Sequence, residues 1–466
     1  MVSLRLRQLA QVLAVSPCPA PETSLDAAVT QISTDSRSIV PGAAFVALRG
    51  ERFDGHEFIQ TAQQQGAIAA IVDRYFMEQH SAAEYLTANN FSLLPVEDTL
   101  AAYQKLGHWW RMQFSIPVIA VTGSVGKTTT KELIAAVLGT QGRVLKTQAN
   151  YNNEIGVPKT LLELTDAHNF AVIEMGMRAA GEIALLSQIA APDIAVITNV
   201  GTAHIGRLGS EQAIANAKCE LLQEMSASGV AILNYDNLRL METAAQLWHG
   251  NVVSYGLTGG DLQGELLDAN TLRVAGRKLP LPLPGQHNAL NYLAALAVAN
   301  VLQIDWTPLQ QGLTVELPQG RARRYLLPND IVILDETYNA GLESMLAALQ
   351  LLADTAGQRR IAVLGTMKEL GDRSAEFHYR VGQAVQKLRL DALLILADPI
   401  ESEAMAEGAL PLVAEQFSSQ AAVVERLQML VQPGDRLLFK ASRAVGLDQV
   451  VEQFRAATVL NKNSIE

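Results

Sequence analysis

The 466-residue sequence predicts an α/β protein of three domains: a small α/β domain, a central phosphate-loop domain with a mainly parallel sheet, and a C-terminal open, Rossmann-like α/β domain. Three observations predict it. Apolar runs of strand length alternate with helix-length segments along most of the chain, the pattern of parallel sheets covered by helices. One run leads directly into a glycine-rich turn, a lysine and the start of a helix. Hydrophobic residues make up 49% of the chain and charged residues 18%, enough apolar material for more than one core at this length.

Taken in order, Leu4, Leu6, Leu9 and Leu13 are spaced for a short amphipathic helix. Gln8 and Gln11 break the apolar run that an export signal would need. Apolar runs at 43–48 and 67–72, with turn pairs at Pro41-Gly42 and Asp54-Gly55, make residues 1–97 the first domain. A helical stretch at 98–114, in which Trp109 and Trp110 pack, opens the second domain, residues 98–317. Pro117 precedes a strand at 118–121, and further strands fall at 171–174, 194–198 and 230–233. The third domain, 318–466, has strands at 331–334, 361–364, 392–396 and 436–439.

Composition excludes several classes. With 47 acidic and 36 basic residues the net charge is −11, the wrong sign for a protein that lives by gripping nucleic-acid phosphates, so no nucleic-acid partner is expected. Two cysteines, Cys18 and Cys219, build neither a disulfide framework nor a thiolate zinc site. No run approaches the roughly 18 apolar residues that span a bilayer. A cytoplasmic protein is expected.

The strongest local feature is Val121-Thr122-Gly123-Ser124-Val125-Gly126-Lys127-Thr128 between a strand and a helix. Glycines let backbone N–H groups turn inward around phosphates, the helix N-terminus adds a favourable dipole, Lys127 adds a point charge, and the Thr128 hydroxyl can ligate Mg²⁺. The expected ligand is ATP. The spacing is a variant, since the first glycine of the general phosphate-loop pattern would fall at Val121. Glu174 ends one strand and His204 follows another, both at the edge where open α/β sheets collect ligands, so each can hold a metal. Nothing in its own surroundings elevates Lys218, which sits in a helix-like stretch.

Together these residues resemble the ATP-dependent Mur ligase family of bacterial cell-wall synthesis, whose central domain is similar to that of folylpolyglutamate synthetases. The resemblance rests on the loop at 122–130, on Glu174 and His204, and on Gly285-Gln286-His287-Asn288-Ala289-Leu290-Asn291. Further segments, Asn150-Tyr151-Asn152-Asn153-Glu154-Ile155-Gly156-Val157-Pro158, Glu174-Met175-Gly176 and Asp335-Glu336-Thr337-Tyr338-Asn339-Ala340, resemble the branch that adds D-alanyl-D-alanine. In the first domain Thr34-Asp35-Ser36-Arg37 and Asp54-Gly55-His56-Glu57-Phe58 resemble the family's UDP-substrate domain, where Ser36 and Arg37 could bond uracil or phosphates. Gly341-Leu342, Thr366 and Ala441 depart from the family pattern in the third domain.

The resemblance implies a ligase joining D-alanyl-D-alanine to UDP-N-acetylmuramoyl-tripeptide through an acyl phosphate, with ATP and Mg²⁺, acting as a monomer in peptidoglycan precursor synthesis. It implies catalytic roles for Lys127, His204, Lys218 and Arg321, and a nucleotide site formed by Thr122, Gly123, Ser124, Val125, Gly126, Lys127 and Thr128. Asn288 or Asn291 would lie near adenine, Arg321 at the transferred phosphate and Asp335 at the ribose, with the third domain swinging in about Gly320. Asn152 and Asn153 would meet the peptide substrate. Thr128 and Glu174 would hold one Mg²⁺, and His204 a second, with Lys218 if carbamylated. The alternatives are a related ligase adding a single amino acid and a phosphate-loop ATPase of unrelated role.

Overall fold

The computed structural model describes residues 4–18, 25–50, 53–79 and 91–463. Near the N-terminus the helix Leu6–Leu13 buries Leu6, Leu9, Ala10 and Leu13, the stripe its leucine spacing predicts. Beside it Leu4–Arg5 pairs antiparallel with Ala28–Val29. The first domain is a four-stranded parallel sheet in the order Gln31–Ser33, Ala43–Val46, Ala69–Asp73, Ser92–Val96. The Asp98 carboxylate accepts from the Leu100 and Ala101 N–H groups at 2.7 and 3.0 Å and so starts the helix Thr99–Arg111. Trp110 packs from that helix and donates its indole N–H to Leu164 O at 3.1 Å.

The central sheet has nine strands. From one edge they run Arg277–Pro280, Thr271–Val274, Leu262–Asp268, Asn251–Gly256, Val230–Asn234, Ile194–Ile197, Val118–Thr122, Phe170–Glu174 and Val144–Lys146. All pairings are parallel except the two between 262 and 280. Alternate residues of the central strands feed two cores. Ile119, Val121, Val172 and Val196 pack on one face, beneath the helices Lys127–Leu138 and Gln286–Val301. Val118, Ala120, Ile173 and Ile197 pack on the other. All eight are fully buried, each of the larger aliphatic side chains contributing about 1.5–3 kcal/mol.

The third domain orders its strands Arg323–Leu327, Ile331–Asp335, Arg436–Lys440, Arg360–Gly365, Ala392–Leu396, Glu415–Gln416, with only the first antiparallel. The three-domain α/β class is therefore as expected. Several strands carry too little apolar signal to be read from sequence. Leu262–Asp268 alternates buried and exposed residues at its start and Arg323–Leu327 is an edge strand with exposed arginines, so neither presents an apolar run. No helix among the described residues is long and apolar enough to cross a membrane.

Candidate active site

Sheet register sets the site. Val121 is paired with Glu174 and Thr122 with Ile197, so the phosphate loop, the Glu174 carboxylate and the segment after Ile197 leave the sheet at one edge. Gly123 and Gly126 carry the turn with φ of 148° and 83°. A Cβ at Gly123 would lie 1.9 Å from Thr198 Oγ1, and one at Gly126 2.6 Å from Asn291 Oδ1, so both positions require glycine for space as well as conformation.

The loop is braced by its neighbour. Ser124 N–H donates to Asn199 O at 3.0 Å, Val125 N–H to Asn199 Oδ1 at 3.0 Å, and Gly201 N–H to Ser124 Oγ at 2.9 Å. The Ser124 and Val125 amides expected to face phosphate are thus engaged by Asn199. The N–H groups of Lys127, Thr128 and Thr129, in the first turn of the helix, have no intrahelical acceptor and remain the natural anion site. Lys127 Nζ donates to Gly123 O at 2.8 Å, folding over the loop. Desolvation there lowers its pKa, with Glu174 opposing and Arg321 adding to the shift.

Glu174 is buried, and its two oxygens differ. Oε1 accepts from Asn152 Nδ2 at 2.8 Å, while Oε2 is buried with no hydrogen-bond partner, 3.8 Å from Lys131 Nζ. Buried carboxylate oxygens are ordinarily paired, so this orphan beside the phosphate loop fits a divalent cation. Among the described residues no cluster of three or more His, Cys, Asp or Glu forms a self-sufficient metal cage. A Mg²⁺ here would draw on Glu174, the buried Thr128 hydroxyl and the oxygens of its substrate.

His204, at φ 66°, begins the short helix Ile205–Leu208, and its Nδ1–H donates to Glu369 Oε2 at 2.6 Å. Burial lowers its pKa, Lys127 adding and Glu369 opposing. Lys218 lies buried on the helix Glu211–Gln223, and its side chain makes no hydrogen bond or ion pair among the described residues. Its pKa falls well below the ordinary value, first through burial and then through the charge of Lys127. Lys127, His204 and Lys218 therefore share one electrostatic neighbourhood.

The third domain adds Arg321, whose guanidinium stacks 3.9 Å over the Tyr338 ring and whose charge reaches Lys127. Gly320, at φ 73°, accepts at its carbonyl from Tyr338 N–H at 2.9 Å. Asp335 is buried, taking the Thr337 N–H and hydroxyl at 3.1 and 2.6 Å. Asn288 donates to Pro284 O at 2.8 Å, and Asn291 Oδ1 accepts the Thr130 hydroxyl at 3.1 Å. Asn291 thus ties the helix Gln286–Val301 to the phosphate-loop helix, while the Asn288 bond stays at the start of its own helix.

The expected substrate residues fall at the meeting of the first two domains. Arg37 and Asp35 form a bidentate pair at 2.8–2.9 Å next to the buried Ser36, and the charge of Lys159 reaches Asp35. Asn153 Oδ1 accepts from Gly156 N–H at 2.9 Å and so starts the helix Gly156–Leu161. Asn152 is the residue that orients Glu174.

Sequence reasoning missed four participants. Glu343 receives the Thr202 N–H and hydroxyl at 2.7 and 3.2 Å, and Glu369 receives His204. Asn199 clamps the loop, and Lys131 donates to Thr147 O at 2.7 Å while facing Glu174. Asn199 and Lys131 lie within the read segments and carry a signal in hindsight, as polar residues immediately beyond a strand and within the phosphate-loop helix.

Residues 28–108 match the Mur ligase family catalytic domain, 121–299 the Mur ligase middle domain, and 320–443 the Mur ligase glutamate ligase domain. A curated Synechocystis relative, a UDP-N-acetylmuramoyl-tripeptide–D-alanyl-D-alanine ligase, is 57% identical over 93% of both chains. The crystal structure of MurF from Acinetobacter baumannii superposes with a TM-score of 0.85 at 33% identity, covering 97% of this chain and 99% of that one. MurF ligase from Thermotoga maritima in complex with ADP gives 0.81 at 30% identity, covering 92% and 98%. Matches to all three family domains, together with a relative of this identity and coverage, show that the chain belongs to the Mur ligase family.

Proposed function

We propose that the chain is an ATP-dependent carboxylate–amine ligase that joins D-alanyl-D-alanine to UDP-N-acetylmuramoyl-tripeptide through an acyl phosphate, in the cytoplasmic stage of peptidoglycan precursor synthesis. The observation that carries it is the orphaned, buried Glu174 Oε2 beside a phosphate loop, in a chain whose relatives carry that activity in their names. The first domain, 1–97, binds the UDP substrate, with Ser36 and Arg37 at the nucleotide and Asn152 and Asn153 towards the peptide. Residues 98–317 bind ATP, and 318–466 complete the site and receive the dipeptide.

A carboxylate and an amine do not condense in water, because hydroxide leaves poorly. Transfer of the ATP γ-phosphoryl group to the tripeptide carboxylate replaces hydroxide with phosphate as the leaving group. The dipeptide amine then attacks the acyl carbon, forming the amide and releasing phosphate alongside ADP. Transfer between two anions depends on positive charge held in place. Lys127 leaves the Gly123 carbonyl to meet the phosphates, and Arg321 approaches from the third domain. Thr122 through Thr128 position the nucleotide, with Asn288 and Asn291 bracing the adenine side and Asp335 at the ribose. Bound Mg²⁺ would neutralise phosphate charge. Thr128 and Glu174 would hold one ion, and His204 another with Lys218 as a carbamate. The protein works as a monomer.

The test is a panel of acceptors with phosphate release as readout. D-alanyl-D-alanine gives the fastest turnover, and hydrolysis requires both cosubstrates. Best turnover with a single amino acid would defeat the assignment, and hydrolysis without either cosubstrate would favour an ATPase.

A further inference from the structure

The segment 199–207 is held from two sides. On its inner side Asn199 and Gly201 grip Ser124 and Val125 of the phosphate loop through the three bonds described above, and Thr198 Oγ1 donates to Val125 O at 2.6 Å. On its outer side two carboxylates of the third domain hold it. Glu343 takes both donors of Thr202, and its carboxyl lies where a Cβ at Gly201 would come within 2.6 Å. Glu369 takes His204 Nδ1–H, approaches Arg207 at 3.4 Å, and accepts at its own carbonyl from Gly206 N–H at 3.1 Å.

The backbone singles out the same pair. His204 and Glu369 both occupy left-handed conformations, φ 66° and 64°, which non-glycine residues hold only when their surroundings impose it. A carboxylate on Nδ1–H also fixes the imidazole tautomer, leaving Nε2 as the nitrogen with a free lone pair. Such partners commonly orient a ligating histidine.

We propose that Glu343 and Glu369 are positioning residues of the phosphoryl-transfer site. Supplied by the third domain, they fix the 199–207 segment that braces the phosphate loop and set the orientation of the His204 ring, so the site reaches its working geometry only while the domains are docked. The inference rests on reading the loop as the ATP site of a ligase. It adds that the third domain prepares that site from behind as well as contributing residues to it.

The experiment uses the full chain and four variants: Glu343→Ala, Glu369→Ala, Glu369→Gln and the double alanine. Small-angle scattering without ligands shows a larger radius of gyration for the double variant than for wild type. Glu369→Ala lowers kcat about tenfold or more without raising KM for the UDP-peptide, whose binding residues lie elsewhere. Glu369→Gln keeps an oxygen acceptor for Nδ1–H and recovers most of the rate. In a His204→Ala background, Glu369→Ala adds less than about twofold, because its effect runs through that ring. Unchanged scattering of the double variant, wild-type turnover of Glu369→Ala, or losses that multiply independently of His204 would each overturn the proposal. If wild type itself made no amide, the ligase reading would fail, and scattering would still decide whether the two carboxylates dock the domains.

Discussion

Asn152 donates its side-chain amide to one oxygen of Glu174 at 2.8 Å and leaves the other buried without a hydrogen bond. The segment expected to meet the peptide substrate thus also aims the carboxylate proposed to hold metal. Asn152→Ala frees Glu174 to turn towards Lys131, already 3.8 Å away. The Mg²⁺ concentration for half-maximal rate then rises about tenfold to a hundredfold, and Mn²⁺ titration followed by paramagnetic resonance shows the same loss of affinity.

Lys127 bonds only to carbonyls of its own loop, at Gly123 and Ser124, so its removal costs the fold little. Lys127→Ala lowers kcat by about a hundredfold or more while thermal unfolding and UDP-substrate affinity remain at wild-type values. Phosphate release and calorimetry check the two halves of this expectation.

His287 gives the fold a pH dependence. Burial, with Lys440 adding, lowers its pKa from the ordinary 6.5 to about 4. The unfolded chain therefore takes up a proton below pH 6.5 that the native chain refuses until about pH 4. Because the native state binds fewer protons in that window, stability rises with pH across it. The contribution is full above 6.5 and is lost progressively as pH falls towards 4. His287→Asn flattens this slope, seen as a smaller drop in melting temperature between pH 7.5 and pH 5 than in wild type.

Lys218 is buried, and the charge of Lys127 reaches it, so the carbamate proposed for it is tested by its removal. Lys218→Ala loses most turnover, and short-chain carboxylic acids restore part of it by placing a carboxylate where the carbamate would stand. Rates measured across a series of such acids check this, and no rescue with any of them would count against the carbamate.

Much of this was legible because its causes are local. The turn from Val121 to Thr128 needs only neighbouring residues, and Glu174 and His204 follow from strands whose apolar runs are continuous. Glu343 and Glu369 were not legible, since they reach Thr202 and His204 across 141 and 165 residues and depend on how two domains meet. The ribbon from Leu262 to Pro280 escaped notice because one side of it faces solvent and its apolar residues are interrupted by charges. The engagement of Ser124 and Val125 by Asn199 could not be read either, because a glycine-rich pattern does not say which amides the fold itself consumes.

The most direct measurement follows oxygen. UDP-N-acetylmuramoyl-tripeptide labelled with ¹⁸O in its terminal carboxylate is incubated with the chain, ATP, Mg²⁺ and D-alanyl-D-alanine, and the products are weighed by mass spectrometry. Activation through an acyl phosphate delivers one labelled oxygen into inorganic phosphate for each amide formed. Amide or phosphate produced with no label in the phosphate would contradict the account.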